Sequence, residues 1–184
     1  MRKLLVFNLV SLDGYFEGTN RDISWHNVDK EFNDYAHDML DSADLLLFGR
    51  VTYELMARFW PSSEALRDDP ETARRMNALS KIVFSRTLDK ALWNNTRLVK
   101  ERMAEEIERS KQQPGRDIVL LGSGDIMTQL AGRGLIDEYR LMVNPVALGS
   151  GRPLFRGLKE ALKLKLVKTR TFGNGNVLLY YQPL

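Results

Sequence analysis

The chain has 184 residues, of which 43% are hydrophobic and 28% are charged, as in one soluble globular domain. Its net charge is only +3 and its basic residues are spread along the chain, which argues against a dedicated nucleic-acid or membrane surface. It contains no cysteine, so disulfides, zinc–thiolate sites, iron–sulfur clusters and cysteine nucleophiles are excluded. This absence is consistent with a reducing cytosol, and we expect a cytoplasmic protein.

The first apolar run, Leu4–Phe7, follows two basic residues, as the apolar part of a signal peptide does. The run is broken at Asn8 and has no small-residue cleavage site, so we interpret it as a buried first strand. No apolar run approaches the roughly 18 residues that a membrane-spanning helix needs. The chain has only two histidines, His26 and His37, and we therefore expect no histidine-rich metal site.

Short apolar runs alternate with segments of helical spacing over most of the chain. The predicted strands are Lys3–Val10, Asp44–Phe48, Lys81–Ser85, Thr96–Val99, Asp117–Leu121, Glu138–Val146, Lys163–Phe172 and Val177–Gln182. The predicted helices are Asp29–Leu40, Thr52–Arg58, Glu71–Ala78, Lys100–Lys111 and Asp125–Arg133. This alternation predicts a single α/β domain over residues 1–184, with a largely parallel sheet covered by helices on both faces.

The last two predicted strands are separated only by the Gly-Asn-Gly-Asn sequence of residues 173–176, which favours the turn of an antiparallel hairpin. Between Lys159 and Arg170, lysines alternate with leucines, as in an exposed edge strand. The aromatic residues that accompany basic residues in a nucleic-acid surface are missing there. We therefore predict an edge strand and no nucleic-acid partner.

Two stretches are predicted to be irregular, residues 11–27 and residues 60–70. The first lies between a buried strand and a helix, and it contains both glycine and aromatic residues. A loop of this length in a compact domain is often functional, although a plain surface connection fits the sequence as well.

A glycine-rich turn follows the strand predicted at residues 117–121. Gly122, Ser123 and Gly124 permit a tight turn, and helical spacing resumes at Asp125. The free backbone N–H groups of such a turn and the dipole of the helix together attract an anion. The same pattern occurs in ordinary strand–helix turns, so this turn alone leaves both interpretations open.

Two other turns after predicted strands carry groups that bind phosphate. Gly49 allows close approach of the backbone, Arg50 offers a bidentate guanidinium, and Thr52 can cap a helix or bind a phosphate oxygen. A capped helix with a solvated arginine explains this turn equally well. The third turn surrounds a guanidinium with two hydroxyl groups, in Ser85, Arg86 and Thr87. Because ligands of open α/β sheets bind at the carboxyl ends of strands, the three turns together predict a nucleotide-phosphate site.

These turns, in this order, resemble those of the dihydrofolate reductase-like fold, and the resemblance extends over nearly the whole chain. The likeness is greatest to the reductase domain of the bifunctional riboflavin-pathway enzyme and its stand-alone relatives. Ser11–Gly14 after the first strand contributes to it, and residues 134–155 are its most specific part. In that run the Asp-Glu, Pro, Leu-Gly-x-Gly and Leu-Phe elements keep the spacing of the family.

The resemblance implies a three-layer α/β fold with about eight strands, and it implies NADPH as the cofactor. Gly49, Arg50 and Thr52 would lie along the pyrophosphate and the adenosine phosphate. Ser85 and Arg86, beside Thr87, would hold the 2′-phosphate. The other side of the pyrophosphate would contact four consecutive residues, Gly122, Ser123, Gly124 and Asp125.

The implied reaction is hydride transfer to a small heteroaromatic, pterin-like or pyrimidine-like substrate. Asp13 and Trp25 are candidates for shaping the catalytic pocket, and Asn8 is a candidate if its side chain faces the cleft. The resemblance also implies a homodimer built through the late strands. The sequence leaves open the substrate, the proton donor and a second possibility, a nucleotide-binding protein without turnover that serves in regulation or assembly.

Overall fold

Eight strands form the central sheet of the computed structural model, which describes residues 1–184. In chain order the strands are β1 (Leu4–Val10), β2 (Tyr15–Glu17), β3 (Ala43–Gly49), β4 (Ser80–Phe84), β5 (Thr96–Val99), β6 (Asp117–Leu121), β7 (Glu138–Val143), β8 (Arg152–Pro153), β9 (Leu164–Thr171) and β10 (Val177–Pro183). The helices are α1 (Lys30–Asp41), α2 (Arg50–Phe59), α3 (Ser63–Asp68), α4 (Pro70–Ala78), α5 (Met103–Gln112) and α6 (Gly124–Ala131).

The order of strands in the sheet is β5-β4-β3-β6-β1-β7-β10-β9. The first five neighbouring pairs in this order are parallel, whereas β10 is antiparallel to both β7 and β9. The eight strands predicted from the sequence are the eight strands of this sheet, and the C-terminal antiparallel hairpin is confirmed. The prediction of an edge strand is also confirmed, since β9 closes the sheet and leaves Leu166 48% and Val167 52% exposed.

Alternation along each strand divides the apolar residues between the two faces of the sheet, as the period of two requires. On β1, Leu4 and Val6 pack into one core, whereas Leu5 and Phe7 pack into the other. The first core is covered by α5 and α6 through Ile107, Met127 and Leu130. The second core is covered by α1, α2 and α4 through Tyr35, Met39, Tyr53 and Met76. The three-layer α/β architecture is therefore confirmed.

Residues 60–70, predicted to be irregular, contain the short helix α3. Ser62 caps this helix, since its hydroxyl accepts a hydrogen bond from the Ala65 N–H at 3.2 Å. Only Ala65 in the helix is buried, and Leu66 is 50% exposed. The helix therefore lacks the apolar periodicity by which helices are found in a sequence.

The loop of residues 11–27, also predicted to be irregular, contains β2, which pairs with β8 in a separate two-stranded sheet. The two strands have only three and two residues and lie about 135 positions apart in the chain, so no local sequence pattern predicts them. None of the helices has the length and apolar character needed to cross a bilayer.

Candidate functional site

The three turns predicted to bind phosphate, which begin at Gly49, Ser85 and Gly122, meet at one edge of the sheet because they follow neighbouring parallel strands. They line a cavity of about 450 Å³ at the carboxyl ends of β3, β4 and β6. Eight of the ten residues predicted to bind the cofactor line it: Gly49, Arg50, Thr52, Ser85, Arg86, Ser123, Gly124 and Asp125. Gly122 and Thr87 belong to the same turns but do not line the cavity.

The turn after β3 and the turn after β6 are in direct contact. The Gly49 N–H donates to the Ser123 hydroxyl at 2.6 Å, and that hydroxyl donates to Oγ1 of Thr52 at 3.1 Å. A Cβ atom at Gly49 would lie 3.1 Å from Ile126 Cγ1, and one at Gly122, which has a φ of +57°, would lie 3.1 Å from Thr52. The glycines therefore allow the two turns to pack together. Gly122 does not line the cavity itself, but it lets Thr52 pack against its turn.

The Ser85 turn is organised by its own hydroxyl group. The Ser85 hydroxyl accepts hydrogen bonds from the N–H groups of Thr87 at 3.2 Å and Leu88 at 2.9 Å. This local pattern fixes the chain after β4. The exposed guanidinium of Arg86 is left without an ion pair at the cavity.

The helices that begin at the cavity have no side-chain caps. The N-caps of α2, α5 and α6 are Gly49, Arg102 and Ser123, and none of them provides a capping hydrogen bond. All three residues line the cavity. The first N–H groups of a helix have no partner within it, so uncapped helix starts offer donors and a positive potential to an anion.

Basic side chains are concentrated at the end of the cavity formed by β4 and β5. Lys100 and Arg102 follow β5 and line the cavity together with Arg86, and none of the three forms an ion pair. Arg50, by contrast, pairs with Glu54 at 3.0 Å. Lys100 and Arg102 were not predicted to be site residues, because they fall inside the predicted helix Lys100–Lys111. Their position directly after a strand was the available signal, because residues that follow parallel strands lie at the same edge of the sheet.

The opposite end of the cavity is formed by the two-stranded sheet, which the sequence did not predict. Phe16 and Glu17 of β2 line the cavity together with Arg152 of β8. The Phe16 ring lies against Gly124, where an added Cβ atom would approach it to 3.0 Å. These residues form a wall beside the start of α6.

Asp13, one of the predicted catalytic residues, joins two loops and does not line the cavity. Its carboxylate accepts hydrogen bonds from the Ser11 hydroxyl at 2.6 Å and from the N–H groups of Leu148 at 3.1 Å and Gly149 at 2.7 Å. These bonds, the Ser11 hydroxyl first, lower the pKa of Asp13 to about 2. The side chain is thus an ionised acceptor that fixes the loop after β7.

Asn8 and Trp25, the other two predicted catalytic residues, do not line the cavity either. Asn8 is 2% exposed, and by alternation along β1 it faces the core under α5 and α6 with no hydrogen-bond partner for its Oδ1 atom. The Trp25 indole donates to the Asp22 carbonyl at 3.0 Å and packs edge-on against His26. The structure therefore brings the predicted cofactor residues together and leaves all three catalytic candidates outside that cavity.

The acidic residues at the start of α1 are also engaged in structural contacts. Asp29 caps the helix by accepting a hydrogen bond from the Phe32 N–H at 2.8 Å. Glu31 pairs with Arg170 at 3.0 Å and accepts from the Gly173 N–H at 2.9 Å. These contacts lower the pKa of Glu31, with the Gly173 hydrogen bond as the main cause. In this structure, therefore, both carboxylates hold the helix and the hairpin in place.

Residues 2–178 match the sequence model of the family described as the RibD C-terminal domain. The chain belongs to this family. Among curated proteins of similar sequence is the uncharacterized protein YyaP of Bacillus subtilis (strain 168), which is 34% identical over 180 residues, covering 98% of this chain and 94% of YyaP.

Solved structures of low sequence identity share the fold of this RibD C-terminal domain protein. A putative riboflavin biosynthesis protein from Shewanella sp. PV-4 superposes with a TM-score of 0.76 at 23% identity, covering 99% of both chains. The dihydrofolate reductase of Enterococcus faecalis, in complex with NADP(H) and RAB-propyl, superposes with a TM-score of 0.65 at 15% identity, covering 98% of this chain and 96% of the reductase. The fold is dihydrofolate reductase-like.

Proposed function

We propose that the protein is an NADPH-dependent reductase of a small heteroaromatic, pterin-like or pyrimidine-like substrate. The observation that carries the proposal is the cavity at the carboxyl ends of β3, β4 and β6, where three uncapped helix starts and three unpaired cations converge. The dihydrofolate reductase with NADP(H) supports the choice of this ligand, and the riboflavin biosynthesis protein supports the class of substrate.

The residues of the cavity fit the anionic groups of NADPH. Arg86, Lys100 and Arg102 would hold the 2′-phosphate, for which guanidinium and ammonium groups are the usual partners in proteins. The first N–H groups of α2 and α6 would hold the pyrophosphate. The glycines at these turns contribute indirectly, because they let the two turns pack together and so bring the starts of α2 and α6 to the same cavity.

When bound, NADPH supplies a hydride, and the protein orients the acceptor and excludes water. We propose that Asp13 contributes by position: its carboxylate fixes the loop of Leu148 and Gly149 through backbone N–H groups. With three hydrogen bonds and a pKa of about 2, it is held as an acceptor and not as a proton donor. Trp25 would shape the loop through its contact with His26.

Arg86 provides the test of the cofactor assignment. We expect Arg86→Ala to weaken NADPH binding about 10- to 100-fold, the scale of one charge-assisted contact, and to change NADH binding little. Calorimetric titration of both nucleotides measures this. Equal losses for the two nucleotides would refute the assignment of Arg86 to the 2′-phosphate.

A nucleotide-binding protein without turnover is a second candidate, and one observation favours it. Three carboxylates described above, those of Asp13, Asp29 and Glu31, are all committed to structural hydrogen bonds and not free to donate a proton. Oxidation of NADPH in the presence of a panel of pterins, pyrimidines, flavins and quinones discriminates the two functions. Tight NADPH binding without oxidation by any of these compounds would favour the second candidate.

We further propose that the protein forms a homodimer through its late strands. Leu141 of β7 is only 8% exposed and belongs to the core of its own chain. The exposed residues Leu166 and Val167 of the edge strand β9 are better placed. Light scattering coupled to size-exclusion chromatography tests the dimer, and a monomer at micromolar concentration would contradict it.

A further inference from the structure

Arg152 is a cation of the cavity that neither the sequence motifs nor the proposed cofactor contacts account for. It lies on β8, at the end of the cavity opposite to Arg86, Lys100 and Arg102. Its side chain is 29% exposed, so it is accessible from the cavity. Its guanidinium also lies 5.7 Å from the centroid of the Phe16 ring, which supports the side chain from behind.

Two carboxylates hold Arg152 in place, and they differ in exposure. Asp125 Oδ2 lies 2.5 Å from Nη2 of Arg152 and its side chain is 67% exposed. Glu17 Oε1 lies 3.4 Å from Nη1 and its side chain is only 13% exposed. An exposed ion pair contributes little to stability, so water can replace Arg152 at Asp125 at little cost. Glu17, being largely buried, has no such replacement and keeps its partner.

Asp125 occupies the first turn of the uncapped helix α6. A carboxylate is favourable there because it complements the positive end of the helix dipole. The same carboxylate repels any phosphate that approaches these N–H groups. Its pairing with Arg152 therefore places an internal anion where an external one would bind.

The position of Asp125, the ion-pair partner of Arg152, after β6 suggests what the external anion is. The strands follow one another in the order β5-β4-β3-β6, with Arg86 after β4 and Asp125 after β6. Neighbouring strands are about 4.8 Å apart, so the chain after β4, with Arg86, and the chain after β6, with Asp125, are separated by roughly 10 Å. A ligand with two anionic groups at such a distance can contact both.

We propose that Arg152 binds the diphosphate of a dinucleotide phosphate and that Asp125 is an internal competitor for its guanidinium. The unpaired cations after β4 and β5 take the second phosphate of the same ligand. Glu17 and Phe16 hold the side chain while it exchanges Asp125 for the ligand. This inference rests on the proposed function, because it assumes a nucleotide in the same cavity.

The proposal predicts opposite effects for the two partners of one ion pair. We expect Arg152→Ala to weaken NADPH and NADH equally, about 10- to 100-fold, because both carry the diphosphate. Arg152→Lys should restore part of this loss. Asp125→Asn should tighten both nucleotides about 3-fold, since it frees the guanidinium. In the double variant Arg152→Ala/Asp125→Asn the tightening should disappear.

Glu101 provides the matched control. It lines the same cavity and forms no ion pair with Arg152, so Glu101→Gln removes the same charge without freeing the guanidinium. Calorimetric titration of NADPH, NADH and ADP with each variant measures the effects, and thermal unfolding shows that each variant is folded. Tightening in Glu101→Gln as large as in Asp125→Asn would overturn the competition between Asp125 and the ligand.

The outcomes separate this inference from the proposed function. If the wild-type protein binds none of the three nucleotides, the proposed function fails and the inference fails with it. If it binds NADPH and Arg152→Ala binds equally well, only the inference is overturned. If Asp125→Asn weakens binding as Arg152→Ala does, the ion pair merely clamps the wall of the cavity, which also overturns the inference.

Discussion

Two groups of helix starts differ sharply in this molecule. The N–H groups at the starts of α1, α3 and α4 are capped by the side chains of Asp29, Ser62 and Asp69. The starts of α2, α5 and α6 have no side-chain caps, and all three lie at the cavity. Capping a helix stabilises it by about 1 kcal/mol, so the missing caps have a cost in stability. The difference indicates that the capped starts serve the fold, whereas the uncapped starts are available to a ligand.

The largest effect is expected on the pH dependence of stability, through His26, a residue that belongs to neither group of helix starts. Burial lowers the pKa of His26 from 6.5 to about 4, and its Nε2 atom has no hydrogen-bond partner. The unfolded state therefore binds more protons than the folded state between these values, and stability falls as the pH falls from 6.5 towards 4. We expect His26 to account for a loss of about 3 kcal/mol in the free energy of unfolding over this range.

Denaturant unfolding at several pH values, compared between the wild-type protein and His26→Gln, isolates this contribution. The variant should lack the part of the pH dependence that lies above the titration of the carboxylates. Identical slopes for the two proteins would show that His26 titrates normally in the folded state.

The N-terminus of α2, which lies at the cavity, can be given the side-chain cap that it lacks. In Gly49→Asp a carboxylate would occupy the N-cap and compete with a phosphate for the N–H groups, and its Cβ atom would crowd Ile126 and Ser123. We expect NADPH affinity to fall about 100-fold, as for the loss of hydrogen bonds to a charged group. Gly49→Ala separates the effect of crowding from that of charge, and equal affinities for the two variants would argue against a phosphate at α2.

The converse change removes a cap that lies away from the cavity. The Asp69 carboxylate accepts a hydrogen bond from the Thr72 N–H at 3.1 Å, and its loss in Asp69→Ala should cost about 1 kcal/mol of stability. NADPH affinity should not change, because α4 does not begin at the cavity. Denaturant unfolding and nucleotide titration on the same preparation test both statements, and a clear loss of affinity would break the division between the two groups of helix starts.

The smallest effect is expected for the pH dependence of turnover in Asp13→Asn. If Asp13 positions the loop of Leu148 and Gly149, the variant lowers the rate without moving the apparent pKa values of the rate profile. Loss of the acidic limb of that profile would instead restore Asp13 as a proton donor. The measurement requires a substrate that the protein reduces.

The sequence was sufficient to predict the sheet because each of its eight strands carries a local apolar pattern. Two glycine turns and the Ser85 turn were also predictable, since the carboxyl ends of parallel strands share one edge. Phe16 and Arg152 were not predictable as neighbours. The strands β2 and β8 contain only three and two residues, and they pair although they are far apart in the chain. The hydrogen bonds that hold the Asp13 carboxylate come from N–H groups about 135 residues away, so no local sequence pattern could predict them.

The position of β1 in the middle of the sheet has a consequence for synthesis on the ribosome. Its neighbours β6 and β7 begin at Asp117 and Glu138, so the first strand to be made remains unpaired until most of the chain has been translated. The segment from β3 to β5 can assemble much earlier, since its strands are consecutive. Nascent chains that end before residue 117 would thus expose the apolar residues of β1, and they are the species in which we expect chaperone binding and aggregation to be greatest.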